Sequence, residues 1–199
     1  MGIDIDQYTL EELSSALYRK MESLGFPKGT DKTKWREPVM AEKLGHTAHS
    51  KISAGKGKDE YGNDATTQEK GKYAEYKSSA LSEKDLNNLL ERVYGKKKKK
   101  QYAPLVVSGV YNGYNSNYET ASVEYAKIEH YFGLFYQEKC VLIINVNTDY
   151  VMNTLNANYE AYIKKGSGTT NLNTVKVNLA DTDLYTIVHK DQEFYDSQR

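Results

Sequence analysis

The chain has 199 residues, with 27 basic and 27 acidic side chains, and a formal net charge of zero argues against a histone-like or polyanionic protein. Hydrophobic residues make up 39% and prolines number only three, which suits one domain with a packed core and excludes wholesale disorder. A lone cysteine, Cys140, excludes an internal disulfide, and no stretch approaches the roughly 20 apolar residues of a bilayer span, so the expectation is a cytoplasmic protein with no membrane partner.

In chain order, Thr9 is placed to open a helix, because Glu11 and Glu12 follow it and Leu10, Leu13, Leu17, Met21 and Leu24 repeat at helical spacing. Gly25, Phe26 and Pro27 end that run. The stretch WREPVMAEKLG predicts a second helix with Pro38 in its first turn and Gly45 as its stop. From His46 to Gly62 the chain is polar and rich in Gly and Lys, which predicts a loop with a short strand near Lys51–Ser53. Ala65–Thr67 and Tyr73–Ser78 read as two strands joined by a polar turn that holds Gly71.

Ser82 caps the next helix with Asp85 in the looser capping-box position, and Leu86, Leu89, Leu90 and Val93 form its apolar face. Lys96–Lys100 follow as a loop, and PLVVSGVYNG reads as a strand. Ser122–Phe135 is expected to be helical with a break near Gly133. KCVLIINVN is the most hydrophobic run and is expected to be a central strand in which Cys140 is a small buried hydrophobe. Asp149–Lys164 has helical spacing, TVKVNLA and LYTIVHK read as late strands, and the tail is polar. Helices and strands alternate throughout, so the expected class is α/β (α+β): a mixed β-sheet flanked by helices, in a single domain over residues 1–199.

Charge is unevenly spread. Lys28 to Lys100 carries 18 lysines and arginines against 11 aspartates and glutamates, a surplus of seven, and the remainder is acidic by the same amount. Asp64, Glu75 and Lys77 fall inside this basic segment. On a strand, Glu75 and Lys77 share one face about 7 Å apart, and Asp64 leads the partner strand of the hairpin. Two carboxylates in basic surroundings suit a hard cation such as Mg²⁺ and an anionic substrate. The same residues also fit a plain solvated Glu–Lys strand face, which contributes little energy.

Asp64 followed by Glu75-Tyr76-Lys77 resembles the signature of the PD-(D/E)xK nuclease superfamily, which includes type II restriction endonucleases, Holliday-junction resolvases and repair nucleases. The resemblance spans about residues 35–90. It departs from the family pattern at the first motif, where Asn63 stands in place of the usual proline. It implies a restriction-endonuclease-like fold with a catalytic core of about residues 35–150. Asp64 and Glu75 would be metal ligands and Lys77 would orient water. A glutamate from the preceding helix would assist, with Glu37 preferred to Glu42. The implied activity is Mg²⁺-dependent, sequence-specific cleavage of double-stranded DNA by a homodimer in a restriction-modification setting. A resolvase or repair nuclease, or a non-catalytic DNA-binding accessory protein, are the alternatives.

Other features fit a nucleic-acid partner. Lys51, Lys56 and Lys58 lie in a basic loop ahead of the acids, and Asn112, Tyr114 and Asn115 form a Tyr/Asn-rich candidate recognition loop. The chain has 18 tyrosines against four phenylalanines, an excess that suits wet interfaces but equally a compositional bias. His46 and His49 are too few for a zinc site, and His130 and His189 read as structural.

Overall fold

The computed structural model describes residues 5–23, 33–48, 64–95, 103–112, 114–165 and 173–198. Lys51, Lys56, Lys58, His49, the Lys96–Lys100 run and the expected helix stop at Gly25–Pro27 lie outside the described residues. The class is α+β. The helices are α1 (Leu10–Ser23), α2 (Thr33–Leu44), α3 (Glu83–Val93), α4 (Tyr118–Tyr125), α5 (Thr148–Lys165) and α6 (Gln192–Ser197). The strands are β1 (Thr47–Ala48), β2 (Ala65–Thr66), β3 (Tyr73–Ala80), β4 (Val106–Val110), β5 (Glu129–Tyr136), β6 (Lys139–Val146), β7 (Thr174–Asn178) and β8 (Tyr185–Lys190).

Among the described residues the main sheet has six strands in the order β1-β2-β3-β5-β6-β8, and β4 pairs with β7 in a separate two-stranded sheet. The main sheet is mixed, because β3 and β5 run parallel while its other pairs are antiparallel. One face carries Tyr76, Tyr131, Phe135 and Ile143, covered by Val39, Met40 and Ala41 of α2. The other carries Phe132, Leu134 and Ile144, covered by Leu86 and Leu89 of α3, Leu155 of α5, and Val107 and Val175 of the small sheet. Burying a large apolar side chain such as Phe132 contributes about 2–3 kcal/mol, so these two layers supply much of the driving force.

Local signals explain most boundaries. Thr9 and Glu12 form a reciprocal capping box: the Glu12 N–H donates to Thr9 Oγ1 at 3.2 Å and the Thr9 N–H donates to Glu12 Oε2 at 2.8 Å. Ser82 Oγ accepts from the Asp85 N–H at 3.2 Å and opens α3. Gly45 ends α2 with φ +66°, and the His46 N–H reaches the Ala41 carbonyl at 2.8 Å, a Schellman closure that needs the left-handed residue.

Three expectations are corrected. α2 begins at Thr33, so Pro38 lies inside the helix rather than in its first turn, and Glu37 sits mid-helix. The proline removes one helical hydrogen bond, and the buried Val39, Met40 and Ala41 hold the segment against the sheet. The expected helix over Ser122–Phe135 is instead α4 followed by β5, an interior strand of the sheet. β5 is apolar on both faces, so it lacks the alternation that marks a half-buried strand. Gly133 is no helix break; a Cβ there would come within 2.7 Å of Met40 Sδ, so it permits close packing of α2. The polar tail forms α6, opened by Asp191, whose Oδ1 accepts from the Phe194 N–H at 2.8 Å.

Among the described residues, no helix is long and apolar enough to cross a membrane.

Candidate active site

β2 and β3 form the hairpin expected from the sequence, with Ala65 opposite Ala74 and Thr66 opposite Tyr73. Asp64 lies just before β2 and runs along the edge of β3. Its N–H donates to the Ala74 carbonyl at 3.0 Å, and its Oδ2 accepts from the Tyr76 N–H at 2.8 Å. Those two groups flank Glu75, so the Asp64 carboxylate is held beside the point where Glu75 projects. Both acids are buried, Asp64 at 5% exposure and Glu75 at 2%. Burial of two carboxylates is costly unless each is compensated, which already separates them from a solvated strand face.

Lys77 supplies part of that compensation. Its Nζ makes a short ion pair with Glu75 Oε1 and lies 4.7 Å from the centroid of the Tyr111 ring. Burial works against the ammonium, but the charges of Glu75 and Asp64 outweigh it, and with Glu37 contributing the Lys77 pKa is raised. Lys77 is therefore a fixed cation at neutral pH. Gly109 of β4 makes room for it: a Cβ there would lie 2.8 Å from both Lys77 Cβ and Phe132 Cε1.

The face behind the acids is built from aromatic residues. β5 places His130 beside Glu75 and Phe132 beside Lys77 in the parallel register. His130 Nε2 is 2.9 Å from the Tyr125 carbonyl, which can only accept, so Nε2 carries the proton. Nδ1 is then the acceptor for the Tyr111 hydroxyl at 3.1 Å. Burial, aided by the Lys77 charge and opposed by the Tyr125 carbonyl, pushes the His130 pKa down to about 4, so the ring is neutral. The expectation that His130 is structural agrees with this buried, doubly bonded position.

Asp64, Glu75 and Lys77 thus come together on one face, and Glu37 is within electrostatic reach of Lys77. Glu42 is exposed near the end of α2. The Tyr/Asn loop is corrected in part. Tyr114 is fully buried, packed 5.6 Å from Tyr118 and 6.1 Å from Tyr125, and its hydroxyl donates to Asn156 Oδ1 at 2.8 Å. Its ring is core, not a surface for bases. Asn112 is exposed, while Asn115 is half-buried with its Oδ1 enclosed. Tyr111, Tyr125 and His130 are the site neighbours that sequence reasoning missed. Only the parallel β3–β5 pairing puts His130 next to Glu75, and no short-range pattern encodes that pairing.

Among the described residues, no three His, Cys, Asp or Glu side chains form a metal cage. Two carboxylates nonetheless fit Mg²⁺, which binds through one or two carboxylates and completes its shell with water and substrate phosphate. Compared with models of protein families and with curated proteins, the chain matches none.

Proposed function

We propose that this protein is a Mg²⁺-dependent endonuclease of the PD-(D/E)xK kind that hydrolyses phosphodiester bonds in double-stranded DNA, as a type II restriction enzyme does. One observation carries the reading: Asp64 spans the β3 edge across Glu75, and Lys77 projects from the same face. Asp64 and Glu75 would hold the metal. When bound, the metal would acidify a water and neutralise charge on the scissile phosphate. Lys77, kept charged by Glu75, orients the attacking water and stabilises the negative charge that develops as the water oxygen bonds to phosphorus and a P–O ester bond breaks. Glu37 tunes Lys77 from the side. The basic surplus of residues 28–100 attracts the phosphate backbone, and two copies of the chain, one per strand, would cut both strands of a duplex.

The test is cleavage of plasmid and phage DNA by the wild-type chain, Glu75→Ala and Lys77→Ala, with Mg²⁺ and with EDTA. Discrete fragments that need Mg²⁺ and vanish in both variants support a restriction enzyme. Nicking without discrete bands favours a resolvase or repair nuclease of the same superfamily. No cleavage, with salt-sensitive DNA binding kept in both variants, refutes the nuclease reading in favour of an accessory DNA-binding protein.

A further inference from the structure

Lys77 makes its ion pair through Glu75 Oε1, and Glu75 is also a carboxylate assigned above to the metal. Two cations then share one acid, so the ammonium needs a partner that gives up no oxygen. Tyr111 supplies one. Lys77 Nζ stands over the Tyr111 ring, 4.7 Å from its centroid, and the lysine side chain is only 14% exposed, so water screens the contact little. Tyr111 follows β4, two residues after Gly109, and residues two apart share a face. Gly109 leaves space for the Lys77 stem, since a Cβ there would lie 2.8 Å from Lys77 Cβ, and Tyr111 receives the charged head.

The ring is held in place from several sides. Tyr111 is fully buried. Its N–H donates to the Asn173 carbonyl at 2.9 Å, and Asn173 Nδ2 donates to the Tyr111 carbonyl at 2.7 Å. Its hydroxyl donates to His130 Nδ1 at 3.1 Å, and its ring meets Tyr125 edge-on at 5.1 Å and His130 at 5.6 Å. An aromatic face attracts an ammonium through its quadrupole, whereas a hard divalent cation takes oxygen ligands. We propose that Tyr111 is a positioning residue whose ring face seats the Lys77 ammonium for its work on the scissile phosphate. This rests on the nuclease reading.

The experiment makes Tyr111→Phe, places mono-, di- and trifluorinated phenylalanine at the same position, and measures Mg²⁺-dependent plasmid cleavage and Tm beside wild type and Glu75→Gln. Fluorine drains the ring face of negative potential stepwise and changes its size little, so packing is kept while the cation–π attraction fades. The expected result is a kcat that falls with each fluorine, by about tenfold from Tyr111→Phe to its trifluorinated form, with Tm unchanged along the series. In wild type without DNA or Mg²⁺, the ring current should shift the NMR signals of the Lys77 ε-methylene protons upfield. Equal kcat along the series, beside an inert Glu75→Gln, overturns the role of Tyr111 and leaves the nuclease reading standing. A fall in kcat matched by a fall in Tm overturns it as well, since the ring would then act through packing. Lys77 ε-protons at the position of a solvent-exposed lysine overturn it even where the phenylalanine variants do not fold. A wild-type chain that cleaves no DNA overturns both.

Discussion

Replacing both members of the Glu75–Lys77 pair separates catalysis from folding. Lys77→Met keeps the side-chain length and removes the charge. It leaves the Glu75 carboxylate, 2% exposed and beside Asp64, without its ammonium. Breaking one side of a buried pair costs about 3–5 kcal/mol. For a chain of this size that corresponds to a fall in Tm of about 6–20 °C. Glu75→Gln leaves the Lys77 ammonium facing Asp64, Glu37 and the Tyr111 ring, so its cost is smaller. The double variant Lys77→Met/Glu75→Gln buries two uncharged groups of similar volume and should recover most of the stability lost by Lys77→Met. Cleavage should fall at least about 100-fold in all three, because each lacks the Lys77 ammonium at the reacting phosphate, the Glu75 carboxylate that would hold the metal, or both. Urea unfolding and a plasmid assay give the full cycle. A double variant that is stable and also cleaves like wild type would refute the reasoning, because the pair would then be only a packing device.

The remaining predictions probe the scaffold. The Arg36 guanidinium donates to both oxygens of Glu138 at 2.9 and 2.7 Å, with both side chains nearly buried. Glu138 and Gln137 form the β5–β6 turn with φ of +65° and +47°, which favours glycine. Arg36→Ala should lose about 3–5 kcal/mol in urea unfolding, and adding Glu138→Gly should restore most of it by removing the orphaned charge and the unfavourable backbone together. His130 stays neutral to about pH 4 between Tyr111, Tyr125 and Lys77, whereas the unfolded chain protonates its histidine below about 6.5. Folded His130 has the depressed pKa, so stability present above 6.5 drains as pH falls, by about 3 kcal/mol down to pH 4. His130→Asn should lack that part of the acid slope in urea midpoints measured across this range. Gly109→Ala should cost about 1–3 kcal/mol and reduce cleavage, since the new methyl meets Lys77 and Phe132; an unchanged urea midpoint would contradict the close approach of β4.

Local chemistry carried much of this molecule in its sequence. The Thr9 and Ser82 caps, the Gly45 and Gly95 stops and the hairpin around Gly71 were legible because each is decided within a few residues. The shared face of Glu75 and Lys77 follows from strand geometry alone, and the buried Cys140 follows from its apolar run. Tertiary packing decided the rest. β5 became an interior strand because both of its faces are covered, a condition that erases the periodic signal separating strand from helix. β4 left the main sheet to pair with β7 and to pack Gly109 against Lys77, and two strands more than 60 residues apart leave no local trace of their pairing. Tyr114 was legible as an aromatic but not as core, since only the fold places it against Tyr118, Tyr125 and Asn156. That His130 of β5 lies beside Glu75 and Phe132 beside Lys77 is likewise settled by the parallel β3–β5 register, a long-range choice made by burial and not by any residue's own preference.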